Sequence, residues 1–150
     1  MADLAAERVG DYEALHQSQL GSAVANTGAS WFKGALLAFN ATGLLVRASD
    51  TAGLRIAGEA METVTSAAAG YVTTYRFGHT MALPIISGTW ATGAAYGLDA
   101  CMIDDNGVTN GATATNDIRI GRVVRRETIR GVDCMHVEIA RHGLSAYAGT

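Results

Sequence analysis

Apolar and polar residues alternate along this chain with a period of two, and no long stretch keeps the 3.6-residue spacing of a helix. The cleanest run is Tyr71 to Phe77, where Tyr71, Thr73, Tyr75 and Phe77 point one way and Val72, Thr74 and Arg76 the other. β-Branched and aromatic residues in that pattern predict a half-buried strand. Gly78 ends it, and His79 to Ile86 predicts another strand finishing near Pro84. Val132 to Ile139 alternates again, with Met135, Val137 and Ile139 opposite Cys134, His136 and Glu138. Leu54 to Val64 holds a strand pair or one bent strand with Gly58 as a candidate bulge. Ile118-Arg119-Ile120 and Val123-Val124 form a strand kinked at Gly121. Val24–Ser30, Ser66–Gly70 and Thr109–Asn116 lack apolar periodicity and read as loops, while Gly88–Leu98 is a loop or a short helical turn.

Two segments share one plan. Leu36 to Leu44 is an apolar strand, a polar turn around Asn40-Ala41-Thr42-Gly43 and a return strand; Ala100 to Val108 repeats it 64 residues later. Twelve residues after each turn glycine comes an Arg-Ile pair, Arg55-Ile56 and Arg119-Ile120, followed by Gly58 and Gly121. The match is either a true duplication or the likeness of any two hairpins in a β protein; the hairpins stand in both cases. Many short strands and regular turns predict an all-β fold, a compact β-barrel or a two-sheet body of short antiparallel strands. The expected organisation is an N-terminal arm over 1–23, a β domain over 24–139 and a tail over 140–150. Leu4, Val9, Tyr12, Leu15 and Leu20 are spaced too loosely to predict a helix. The arm is either a frayed terminus or a segment that orders on a partner, with Tyr12 as its natural anchor.

Composition narrows the class. Forty-nine per cent of the 150 residues are apolar, enough for a core, but much of that is alanine and the aromatics are two Trp, five Tyr and three Phe. A thin core favours completion by a second chain. The formal net charge of −3 gives no general attraction to nucleic acid. No apolar run approaches the ~20 residues of a membrane-spanning helix, and no secretory signal opens the chain, so a cytoplasmic site of synthesis is expected. Cys101 and Cys134 then read as small buried hydrophobes.

The sequence contains no nucleophile elbow, zinc-protease helix, Walker loop or dinucleotide fingerprint. Cys134-x-His136 lacks the paired clusters of a zinc site, and no metal or other cofactor is expected. Asp104-Asp105 sits where Asp and Asn cap turn amides. One charge feature remains. Arg119, Arg122, Arg125, Arg126 and Arg130 place half of the ten arginines within twelve residues, with Glu127 among them. Guanidinium forks dock carboxylates or phosphates, so a protein partner or an intersubunit ion pair is expected. The alternative is a nucleic-acid-binding β-barrel using Arg119–Arg130, against which no aromatic residue is interleaved for base stacking.

The segments Lys33–Val46, Leu54–Ala60, Val72–Gly78, Ala100–Asp105 and Arg119–Val123, taken in order, resemble the small tailed-phage capsid cement, or head decoration, proteins. Thr73 to Pro84 is similar to the lambda-type decoration proteins, where a strand, a glycine turn and a further strand run to a proline. The resemblance covers roughly residues 31 to 126; the acidic, proline-free N-terminus departs from it. It implies a non-enzymatic β protein that binds the outside of an assembled capsid, its partner the major capsid protein. It also implies a homo-oligomer, with a trimer favoured over a dimer, and a place on the outer surface of the virion. The residues expected at a capsid or protomer interface are Leu4, Tyr12, Leu15, Trp31, Trp90, Arg119, Arg122, Arg125 and Arg126.

Overall fold

The computed structural model describes residues 19–85, 96–110, 114–116 and 118–139. Among these residues ten strands run in chain order: β1 Gln19–Val24, β2 Leu36–Phe39, β3 Leu45–Arg47, β4 Arg55–Ala60, β5 Val72–Phe77, β6 Thr80–Pro84, β7 Asp99–Met102, β8 Val108–Thr109, β9 Arg119–Ile129 and β10 Val132–Ile139. They form two five-stranded antiparallel sheets, so the all-β expectation holds. Residues 19–23, expected in the arm, are instead the body of β1, because Gln19 to Val24 pairs residue by residue with β5. The strand kinked at Gly121 does not stop at Val124 but continues to Ile129, where a two-residue Arg130-Gly131 turn (φ 50° and 79°) returns it into β10.

The two sheets are one design used twice. Their strand orders are β1-β5-β4-β2-β3 and β6-β10-β9-β7-β8, the same arrangement advanced by five strands. The likeness reaches single hydrogen bonds. The Gly34 amide donates to Ala60 O (2.8 Å) and the Ala60 amide to Ala35 O (2.8 Å); the Gly97 amide likewise donates to Val123 O (2.8 Å) and the Val123 amide to Leu98 O (2.9 Å). Each sheet also curls until its edges meet: a parallel bridge joins Ala25, just past β1, to Leu45 in β3, and another joins Ile85, just past β6, to Val108 in β8. The expected 64-residue offset is corrected to 63. Leu37↔Gly58 and Ala38↔Ile56 in one unit match Ala100↔Gly121 and Cys101↔Arg119 in the other, so Ile56 is the twin of Arg119, not of Ile120. In each unit one residue of the fourth strand, Ala57 or Ile120, is skipped at a bulge, and both are fully buried.

Gly58 shows why the bulge needs its residue. Its φ of +155° is unfavourable for a side chain, and a Cβ there would lie 2.1 Å from the carbonyl oxygen of Arg76. The core gathers the inward residues of both units, including Leu36, Leu37, Leu45 and Ile56 from the first and Met102, Ile120, Met135 and Val137 from the second. Within the first unit Tyr75 meets Phe39 edge-on (5.6 Å) and Phe77 at a tilt (5.8 Å).

The units meet through the second hairpin. Asp105 O accepts the Leu36 amide (2.8 Å) and Ile103 O the Asp50 amide (3.2 Å). The Asp50 carboxylate in turn accepts the amides of Thr115 (2.6 Å) and Asn116 (2.9 Å). Burial acts to raise the Asp50 pKa, but the hydrogen bonds from Thr115 and Asn116 outweigh it and hold the group below its ordinary value.

Candidate docking surfaces

The arginine segment lies on β9, and a bulge decides how its side chains divide. Val137 faces Val123 and His136 faces Arg125, so Val124 is the extra residue. Arg125 and Arg126, being adjacent, fall on opposite faces of the β9–β10 ribbon, and the bulge sets Arg125 beside His136 where an unbroken register would set Val124. One face carries Arg126, whose Nη2 donates to Asp133 Oδ2 at 2.7 Å, with Thr128 Oγ1 donating to Asp133 Oδ1 at 2.8 Å. The hydrogen bonds from Arg126 and Thr128 draw the Asp133 carboxyl below its usual pKa. The other face carries Arg125 and His136, both on Glu127, at 3.3 and 2.8 Å. Nearer the barrel, Arg119 pairs with Asp99 at 3.0 Å, and Arg122 lies 3.9 Å from the same carboxylate.

The expected basic patch is therefore an ion-paired network. Arg119, Arg122, Arg125 and Arg126 each have a carboxylate within 4 Å. Asp99 and Asp133 escaped the sequence reading because they become neighbours only through β7–β9 and β10–β9 pairing. Opposite charges at cross-strand positions were the available signal, readable once the register is known.

Trp31, expected at a capsid or protomer interface, is instead a core residue. It is 3% exposed, and its backbone exchanges hydrogen bonds with Val64 at 2.9 and 3.0 Å. Phe32, next to it, is the exposed aromatic, at 77%. Leu4, Tyr12, Leu15 and Trp90 lie outside the described residues. Neither cysteine forms a disulfide and both are buried, as expected, and burial raises the Cys134 thiol pKa, with Asp133 and Glu127 adding to the shift.

A groove of about 570 Å³ opens between the units, lined by Asn26, Thr27, Ser30, Arg47, Asp104 and Asp105 among others. Asp104 uses Oδ1 to accept the amides of Asn106 (2.8 Å) and Gly107 (2.7 Å), which is turn chemistry. Arg47 stands 3.9 Å from Asp105 across the groove. The buried His79 Nε2 lies 2.6 Å from Glu59 Oε2, pinning the turn that links the units. Among the described residues, no group of three or more His, Cys, Asp or Glu side chains is placed to hold a metal ion. Among those residues, too, no helix is long and apolar enough to cross a membrane. The chain matches no protein-family model, no curated protein and no solved structure.

Proposed function

We propose that this protein is a virion structural protein that binds the outer surface of an assembled phage capsid and stabilises it. The observation that carries the reading is the ordered set of hairpins and strands, Lys33–Val46 through Arg119–Val123, that resembles the cement proteins. The doubled β body supports it: a stiff object with paired surface charges suits passive binding, and many identical copies on a lattice gain from avidity. Its partner in this reading is the major capsid protein, and it acts as a homo-oligomer.

The second reading is a nucleic-acid-binding β-barrel that uses Arg119–Arg130. Four of those arginines already face Asp99, Glu127 or Asp133, and a phosphate would have to displace these carboxylates. Purified protein is mixed in parallel with empty expanded capsids and with duplex and single-stranded DNA. Saturable capsid binding, with raised capsid melting temperature, is expected. Salt-sensitive DNA binding at sub-micromolar affinity without capsid binding would overturn the proposal.

A further inference from the structure

The two units differ at one strand edge. Ala25 donates its amide to Tyr71 O (2.8 Å), which fixes the alternation of β1: Gln19, Gly21, Ala23 and Ala25 turn their backbone groups toward β5. Leu20, Ser22 and Val24 therefore aim N–H and C=O the other way. Asn26, next in that series, donates to Leu45 O (2.8 Å), where β3 closes the sheet. Between Gln19 and Val24 nothing closes it among the described residues.

In the twin strand the same argument runs from Ile85, whose amide reaches Asp133 O (2.9 Å). Thr80, Ala82 and Pro84 then face the open edge of β6. Pro84 is the twin of Val24, and it has no N–H to offer. β6 is thus blunted in the way edge strands commonly are, whereas β1 reads Gln-Leu-Gly-Ser-Ala-Val without a charge or a proline. On the same face Leu20 is 66% exposed, Ser22 is exposed and Val24 half-buried, and Val72 of β5, paired with Val24, is 58% exposed.

From this geometry we infer that β1 pairs edge to edge, antiparallel, with β1 of a second copy of this chain. A second copy suits because its other outer strands offer less: β3 has three residues, β8 two, and β6 carries Pro84. The register is determined. Only pairing Ser22 with the second copy's Ser22, and Leu20 with its Val24, brings all the outward backbone groups together, forming about six new hydrogen bonds. The same register lays each exposed Leu20 beside the other copy's Val24, extending the Val24–Val72 row across the joint. Such an interface is closed and twofold, so it selects a dimer over the trimer that the resemblance implies, and it stands apart from the capsid reading.

The test is sedimentation velocity on the full chain over a wide concentration range, with three variants. Wild type should dimerise with rising concentration. V24P removes from β1 the N–H that Pro84 removes from β6 and leaves the β5 ladder intact; it should weaken dimerisation at least tenfold with an unchanged melting temperature. S22C should cross-link under mild oxidant, whereas T74C, one strand further from the axis, should not. If V24P fails to fold, S22K, which sets two like charges across the twofold, takes its place and should dissociate the dimer. A protein that stays monomeric and whose S22C does not cross-link overturns the inference and leaves the edge to residues 1–18 or a foreign strand. A dimer indifferent to V24P, S22K and S22C overturns it too, and places the contact on another face.

Discussion

Residues 61–71, between β4 and β5, and residues 124–133, the far end of the β9–β10 hairpin, hold the same place in the two units and fold in opposite ways. The first segment turns back as a strap. Val64 exchanges hydrogen bonds with Trp31, Ala67 donates to Ala29 O (2.9 Å), and Gly28 donates to Ala67 O (2.8 Å), so the strap helps to enclose the indole. The second segment carries the sheet outward as a ribbon, held across its width by Arg126–Asp133 and His136–Glu127. The strands beneath are the same; the side chains differ. Ser66-Ala67-Ala68-Ala69-Gly70 gives little to pair across a ribbon, whereas Arg125 to Asp133 has alternating charge and a turn glycine. One scaffold position thus serves as a lid on an apolar core or as a charged projection.

The sharpest break in the comparison is Leu37→Ala. Leu37 is fully buried and its twin is already Ala100, so the first unit would be given the second unit's residue. A loss of about 3–4 kcal/mol is expected in urea unfolding; a loss below ~1 kcal/mol would mean that the cores are interchangeable. Gly58→Ala should cost about 3 kcal/mol, because a side chain meets both a strained φ and the Arg76 carbonyl. Gly121→Ala should cost less, since Gly121 lies outside the positive-φ positions. Equal losses at the two glycines would show that the bulges are alike in energy as well as in register.

The joint between units is tested by pH. With its pKa held below 3.8, Asp50 contributes stability that is fully present above that value and is lost as pH falls through the lower folded value. Asp50→Ala should remove about 1–2 kcal/mol at neutral pH, and should flatten the fall in the urea midpoint on acidification. A variant with the wild-type acid profile would assign that fall to other carboxylates. The smallest effect belongs to the ribbon. Arg126→Ala should leave the unfolding midpoint nearly unmoved, as exposed ion pairs do, yet speed amide exchange near Thr128 and Val132. Unchanged exchange would show that the turn alone holds the ribbon.

Local pattern carried the elements and missed what depends on pairing. The alternation over Tyr71–Phe77 and Val132–Ile139, and the two hairpins, were legible because each is a short-range signal, and Thr73, Tyr75, Phe77, Met135, Val137 and Ile139 are all buried. The duplication was visible but one residue out of step, because aligning the turn glycines Gly43 and Gly107 and the two Arg-Ile pairs sets Ile56 on Ile120, whereas strand pairing sets it on Arg119. The ribbon was cut short at Val124 because a turn of Arg130 and Gly131, both at positive φ, lacks the usual Asn or Asp signal. Trp31 was expected at a capsid or protomer interface; what buries it depends on Val64, 33 residues away, which no short-range pattern reveals.

Because each sheet is closed within one continuous stretch of chain, the order of synthesis becomes an order of folding. The first sheet has all its strands once Phe77 has been made, and the second waits for Ile139. In each, the first strand pairs with the fifth, so the whole stretch must be drawn together before its edge is satisfied, a slow kind of closure. A nascent chain therefore carries one completed sheet while the other is still being extended. During that interval the Leu36 amide has no Asp105 carbonyl to meet, and the newly folded half must hold itself together by its aromatic cluster.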